Sequence, residues 1–396
     1  MKKAVLLSIL TSSVLLATNG DNMIALGAES RSMGGTGVAM SMGTDSVFRN
    51  PAWVADIEGT QAMFGATLFM PEVSASNGNA SGQSAKSKAD QSVIPEVSHA
   101  GGINENLAYG IGMFGVSGMG VDYRNEDATK GLASMRTNFQ FLRFVPSLAY
   151  KNENLRIGGG LTLAYGSLDM SAVMSSDPNN PALAAQRGGG VSDTLGYGAQ
   201  VGIGYSVTPE ITTGLYYQTQ VDTTYDAVMD FNFDNVYEDL KLSQPAEYGI
   251  GLGYEKDNLK ATVDYRKVLW SSADGYDAFG WDDQNIYALG LAYKMDDLTL
   301  RGGYNYADSP LGDGNFQGAT VSGVPFPAAN IAFFNLMGFP AISKQHFTLG
   351  LGYEINKNVG FDLAYVYSPE ETLSSMNMEV SNKQNSITGA LKYRFD

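Results

Sequence analysis

The chain has 396 residues, 41 acidic against 25 basic side chains for a formal charge of −16, 47 glycines and no cysteine. The acidic balance argues against nucleic acid as a partner, and the missing cysteines exclude disulfides, thiol nucleophiles and cysteine metal sites. Beyond the N-terminus no run of roughly 18 apolar residues occurs, so a helical membrane protein is excluded and any membrane role falls to a β-barrel or to surface attachment.

The first residues, MKKAVLLSILTSSVLLATNG, place two lysines before an apolar run from Ala4 to Ala17, then small and polar residues. This is the pattern of a secretory signal over 1–20, with cleavage expected between Ala17 and Gly20. Residues 21–59 show no strand alternation. They carry RSMGGTGVA at 31–39 and SVFRNPAWVADI at 46–57, and Pro51 suits no central strand because proline brings no ladder donor. Unable to span and too apolar for a solvated tail, this stretch is expected in the lumen of the barrel that follows.

From residue 60 onward one pattern repeats. LGYGAQVGIGY at 195–205, YGIGLGY at 248–254, YALGLAY at 287–293 and FTLGLGY at 347–353 put bulky residues on one face and mostly Gly, Ala or Thr on the other, which is the period of a strand. Short polar turns follow, as in YKNENL at 150–155, YEKDNL at 254–259 and YKMDDL at 293–298. Six such hairpins with one strand at each end predict fourteen strands, an even number as a closed outer-membrane barrel requires. The opposite connections, at 74–91, 175–190 and 308–343, are long. Short turns against long loops is the periplasmic–extracellular asymmetry of such barrels. Tyr150, Tyr205, Tyr254, Tyr293, Tyr353 and Tyr393 then form an aromatic girdle at the periplasmic interface.

The third strand is expected over 107–123. Its alternation is clean from Leu107 to Met113 and fails through Phe114, Gly115, Val116, Ser117 and Gly118, the mark of a bulge or kink that opens the wall beside the luminal segment.

RSMGGTGVA followed by DSVFRNPA resembles the hatch of the FadL/TodX outer-membrane transporters of hydrophobic compounds, and FNLMGFPAISKQHFTLGLGY at 334–353 resembles their penultimate region. The resemblance implies an all-β fold: a 14-stranded antiparallel transmembrane β-barrel over 60–396 in the outer membrane of a Gram-negative cell, with an N-terminal luminal hatch over 21–59. It further implies passive uptake of fatty acids or hydrocarbons through loop capture, an apolar pocket, a shift of the hatch and lateral exit at Phe114, Gly115, Ser117 and Gly118. Gly34, Gly35, Asn50, Pro51, Ala52 and Trp53 become the gating residues. Trp53 stands where members often have glycine, so Trp53→Gly is expected to speed uptake.

The connection at 321–343 is unusually apolar for an exposed loop, and such a patch marks binding. Phe326, Phe333, Phe334, Leu336, Met337 and Phe339 are the expected ligand contacts, as a capture groove or a lid in the barrel mouth. Arg156, on the small-residue face of its strand, is expected to point into the lumen near the periplasmic end, where a basic group suits a ligand carboxylate. Gly110, Gly112 and Gly115 match G-x-G-x-x-G but lack a βαβ context. Ser98 and His99 are neighbours on a strand and face opposite ways, so no catalytic residues, enzyme activity, metal or cofactor are assigned. The acidic stretches at 230–240 and 281–284 lack EF-hand spacing and read as solvated loops. Expected partners are a hydrophobic small molecule, outer-membrane lipid and lipopolysaccharide, and the barrel assembly machinery, with the protein a monomer. The alternative is a structural or interaction barrel of a secretion or conjugation system. A general porin fits poorly, since a wide aqueous pore wants a charged lumen.

Overall fold

The structure, a computed structural model, describes residues 18–177 and 180–395. The apolar run of the expected signal, 1–17, lies outside the described residues. Among those described, fourteen strands form the wall: β1 Thr60–Asn77, β2 Ser92–Gly102, β3 Leu107–Asp122, β4 Arg136–Asn152, β5 Leu155–Ser171, β6 Val191–Ser206, β7 Ile211–Gln218, β8 Glu247–Lys256, β9 Leu259–Val268, β10 Gln284–Met295, β11 Leu298–Ala307, β12 Gln345–Glu354, β13 Val359–Ser375 and β14 Met378–Phe395. Each pairs antiparallel with the next, and β14 returns to β1 with Phe395 opposite Thr60 and Met378 opposite Asn77. The barrel is closed.

Period-2 alternation places the two faces. On β6, Leu195, Tyr197, Val201, Ile203 and Tyr205 face outward while Gly196, Gly202 and Gly204 are buried, giving the lipid-facing apolar band. The six girdle tyrosines are all exposed beside the short turns. At the opposite end β13 and β14 meet in a two-residue turn, Met376 and Asn377, both with positive φ, the backbone that matches hairpin twist.

Inside, the wall departs from the expected lining of small residues alone. Glu96, Arg143, Glu247, Asp264, Arg266, Arg301 and Asp362 all point inward and are buried. A charged residue at an alternating position keeps the period, so periodicity does not distinguish it from a glycine. Residues 18–57 fill the lumen as a small hairpin (Thr18–Asn19 with Asn22–Met23), α1 Ala28–Ser32, α2 Ser46–Arg49 and a 3₁₀ helix Pro51–Asp56. The wall glycines sit where this segment presses closest. A Cβ at Gly202 would lie 1.9 Å from Asn50 Oδ1, and one at Gly214 1.9 Å from the Val38 carbonyl.

Candidate functional site: a plugged lumen beneath an aromatic cap

The Asn-Pro-Ala-Trp run builds the lower plug. The Asn50 carboxamide oxygen accepts from the Ala52 amide at 3.1 Å, capping the 3₁₀ helix, and Pro51 takes its first position, where the lost N–H is one that no helix bond would use. The Asn50 amide nitrogen donates to the carbonyls of Val38 at 2.7 Å, Ile203 at 3.2 Å and Leu215 at 3.3 Å, tying the turn to β6 and β7. Trp53 is buried, its Nε1 donating to Val38 O at 2.8 Å, with its ring over Gly204. Gly34 and Gly35 both have positive φ, and Gly34 lies against the backbone of Leu289 and Tyr304. Only a residue without Cβ approaches the wall so closely there.

Arg156 does face the lumen near the periplasmic end. Its Nε donates to both carboxylate oxygens of Asp56, at 3.0 and 2.9 Å, and its Nη1 to Ser206 Oγ at 2.6 Å. The guanidinium lies 5.4 Å from the Trp53 ring. This arginine is thus engaged by the luminal segment itself.

Further ion pairs, none evident from the sequence, hold the same segment. Arg31 pairs with Glu96, and Arg49 and Arg266 each reach Glu247 at 2.9 Å. Asp264 accepts from the amides of Gly37 at 2.7 Å and Val38 at 2.9 Å. Arg301 lies 3.6 Å from Glu29 and 2.8 Å from Asp362. Asp45 takes the Ser98 hydroxyl at 2.7 Å, which gives Ser98 its role, while His99 on the other face packs against Tyr109 and Phe395. Buried charges of this kind are costly unless paired, and these pairs tie the luminal segment to the wall.

Above the plug, β3 changes neighbours. Its pairing with β2 ends at Phe114 opposite Glu96, whereas pairing with β4 continues to Asp122 through a register shift between Gly115 and Ser117. Val116 is the extra residue, a bulge. Beyond it the luminal hairpin stands in for β2. Asn22 pairs with Ser117, the Gly118 amide donates to Asp21 O at 3.0 Å, and Ser117 Oγ donates to Asp21 Oδ1 at 2.8 Å. Asp21 Oδ2 accepts from Gln244 Nε2 at 3.3 Å and from the Tyr276 hydroxyl. Burial pushes the Asp21 carboxyl up to about 6. Arg143, level with Phe114 on β4, donates to Gln218 at 3.0 Å and lies 5.9 Å from the Phe48 ring and 5.8 Å from that of Phe141.

The long loops cap the mouth with aromatic rings. The connection at 308–344 forms α3 Ala328–Phe333 and a π-turn Phe334–Gly338. Phe326, Phe334, Leu336, Met337 and Phe339 are buried, and Phe333 packs at the edge. Phe326 and Phe334 stack at 5.6 Å, and Phe231 meets both, at 5.5 and 6.0 Å. Asn335 fixes the turn, taking the Trp281 indole N–H at 2.8 Å and donating to Phe279 O at 2.8 Å. Of the expected contacts, Phe339 lines an apolar cavity with Phe139, Leu240, Tyr276, Phe279 and Trp281, and Asp21 stands at its wall. The cavity holds about 10 Å³, space for roughly one water. Phe231, Tyr276, Phe279 and Trp281 are the partners that sequence reasoning missed. Phe231 and Trp281 lie in the stretches 230–240 and 281–284 read as acidic and solvated, whereas Asp230 there is buried, 2.6 Å from Arg187.

A plugged barrel of fourteen strands, with a bulged third strand and an aromatic cap, has known counterparts. The sequence profile of a family described as outer membrane protein transport protein (OMPP1/FadL/TodX) matches residues 22–322. The chain belongs to this family. Among solved structures, the toluene transporter TodX of P. putida aligns with a TM-score of 0.72 at 20% identity, covering 94% of this chain and 99% of that one. The toluene transporter TbuX of Ralstonia pickettii gives 0.68 at 19%, covering 94% and 99%, and a FadL homologue of Pseudomonas aeruginosa gives 0.74 at 16%, covering 95% and 100%. No curated protein matches this sequence. At such identities the structural likeness carries the fold, and the family match carries the class: this FadL/TodX member is an outer-membrane transport barrel for hydrophobic compounds. The family is one of transport channels rather than of enzymes.

Proposed function

We propose that this barrel takes up hydrophobic small molecules passively, with residues 18–57 as the hatch and with release sideways through the wall at β3. The observation that carries the reading is the meeting of Asp21 and Asn22 with Ser117 and Gly118, because it closes the stretch where β3 has lost β2. A molecule collected among the aromatic rings meets a salt-bridged plug below and, to one side, a seal of a few hydrogen bonds. Each such bond contributes about 1 kcal/mol net, so the seal yields before the plug does. Unsealing it connects the apolar cap with the bilayer, where a hydrophobic molecule is already stable. The toluene carried by the transporters TodX and TbuX and the density of aromatic rings here favour compact apolar molecules. The apolar cap also weighs against an interaction barrel, which expects a filled polar interior throughout.

The test is deletion of Val116, which removes the extra residue and restores an unbroken β3 register. Uptake of a neutral apolar probe by cells carrying this variant is expected to fall to the level of cells without the protein, with the barrel still folded. Undiminished uptake would overturn lateral release at β3.

A further inference from the structure

We propose that a groove between the connections 219–246, 269–283 and 308–344 is the outer portal of the channel, and that its carboxylates select neutral apolar molecules over anionic amphiphiles. This rests on the uptake reading above. The groove opens at the extracellular surface and encloses about 680 Å³, within the range of small-molecule sites. Its position matters more than its size. Leu240, only 2% exposed, lines this groove on one side and the inner aromatic cavity on the other. One isobutyl group therefore partitions surface from cap. The hairpin that carries it has a short ladder, broken by a register shift between Tyr225 and Met229.

The rim gives the groove its chemistry. Val236 and Tyr237 expose apolar surface at 62% and 39%, which suits a hydrophobic visitor. Around them stand Glu238, Asp239, Asp274 and Asp277, with Lys241 as the one cation among the lining residues. Lys241 lies 3.9 Å from Asp274, which leaves the other three carboxylates without a cation in the lining. Their hydrogen bonds run to backbone amides: Glu238 to Phe231, Asp239 to Ala227, and Asp277 to Gly275 and Ala278. Those bonds orient the carboxylates without cancelling their charge. A fatty-acid anion approaching the portal meets like charge on the rim, while a neutral hydrocarbon meets no such penalty.

The experiment compares two fluorescent probes in cells carrying the full-length protein, neutral N-phenyl-1-naphthylamine and anionic parinarate, against cells without it. Leu240→Trp is expected to abolish most protein-dependent uptake of the neutral probe, and Leu240→Ala to increase it. The triple change Glu238→Gln, Asp239→Asn, Asp277→Asn is expected to raise parinarate uptake about tenfold, the lower end of the effect of surface charge on encounter rates, while changing neutral uptake little. Because these rim residues are solvent-facing, the triple variant keeps the test decisive even where Leu240→Trp fails to fold. Neutral uptake insensitive to both Leu240 variants, or parinarate uptake unmoved by the rim change, would overturn the portal. Uptake of both probes equal to that of cells without the protein would instead remove the channel reading on which the portal depends.

Discussion

Asp21 and Ser117 meet at 2.8 Å, carboxylate to hydroxyl, at the point where β3 has passed its bulge and has no β2 beside it. They lie 96 residues apart in the chain. The contact joins the luminal segment to the place where β3 changes its pairing partner, so in the proposed route displacement of the hairpin and unsealing of the wall are the same event. Asp21 also faces Tyr276 and Gln244 under the aromatic cap, which places one side chain between the cap and the bulged strand.

Occupancy and release are therefore expected to respond to pH. The Asp21 carboxyl is pushed from its ordinary 3.8 up to about 6 by burial, so the docked hairpin favours the protonated form. Its contribution is fully present below the ordinary value and is lost as pH rises through about 6, worth at most about 3 kcal/mol. Hydrogen exchange at residues 18–23, corrected for intrinsic rate, is expected to be faster at pH 7.5 than at pH 5. Asp21→Asn is expected to flatten that difference, and a difference that survives the change would assign it to another group.

Trp53 is a packing residue of the plug rather than an obstacle in open lumen, given its bond to Val38 and its contact with Gly204. Truncating a buried tryptophan typically costs about 3–5 kcal/mol. Trp53→Gly is expected to loosen the periplasmic end, visible as new ion conductance in planar bilayers alongside faster uptake, with the barrel retained. Silent bilayers would show that the charged pairs alone hold the plug.

Phe334 touches Phe231, Phe279, Phe326 and Phe333 and so joins rings from three connections. Phe334→Ala is expected to weaken binding of a neutral aromatic probe about tenfold, for a loss of roughly 1.4 kcal/mol of contact, read from quenching of Trp281 fluorescence. Asn335→Ala leaves the Trp281 indole and the Phe279 carbonyl without a partner, and an unsatisfied buried group costs about 1–3 kcal/mol. Its expected signature is a lower melting temperature of the cap with the barrel unchanged.

Much of this architecture was legible in the chain. Period-2 alternation, tyrosines before short turns and the parity of the strands give the barrel, because the bilayer forces apolar residues outward at every second position. The phase failure at Phe114 to Gly118 coincides with the bulge at Val116, since an inserted residue shifts the phase of the strand. The seal itself was not legible. Asp21, Ser117, Gln244 and Tyr276 come from four separate parts of the chain and carry no local pattern. The luminal charges were hidden for a related reason: Glu96 and Asp264 occupy inward positions that keep the alternation. In the loops, Phe231 and Phe279 were masked by acidic neighbours, although Asp230 is itself buried against Arg187.

If the hairpin must leave β3 for transport to occur, a reversible crosslink between the two will block it. Asn22 and Ser117 are opposite partners in an antiparallel bridge, a spacing within disulfide reach, and the chain has no other cysteine. In the double variant Asn22→Cys, Ser117→Cys, uptake of a neutral apolar probe is expected to stop on oxidation and to return on reduction. Full uptake through the oxidised, demonstrably crosslinked barrel would mean that the hairpin stays on β3 during transport.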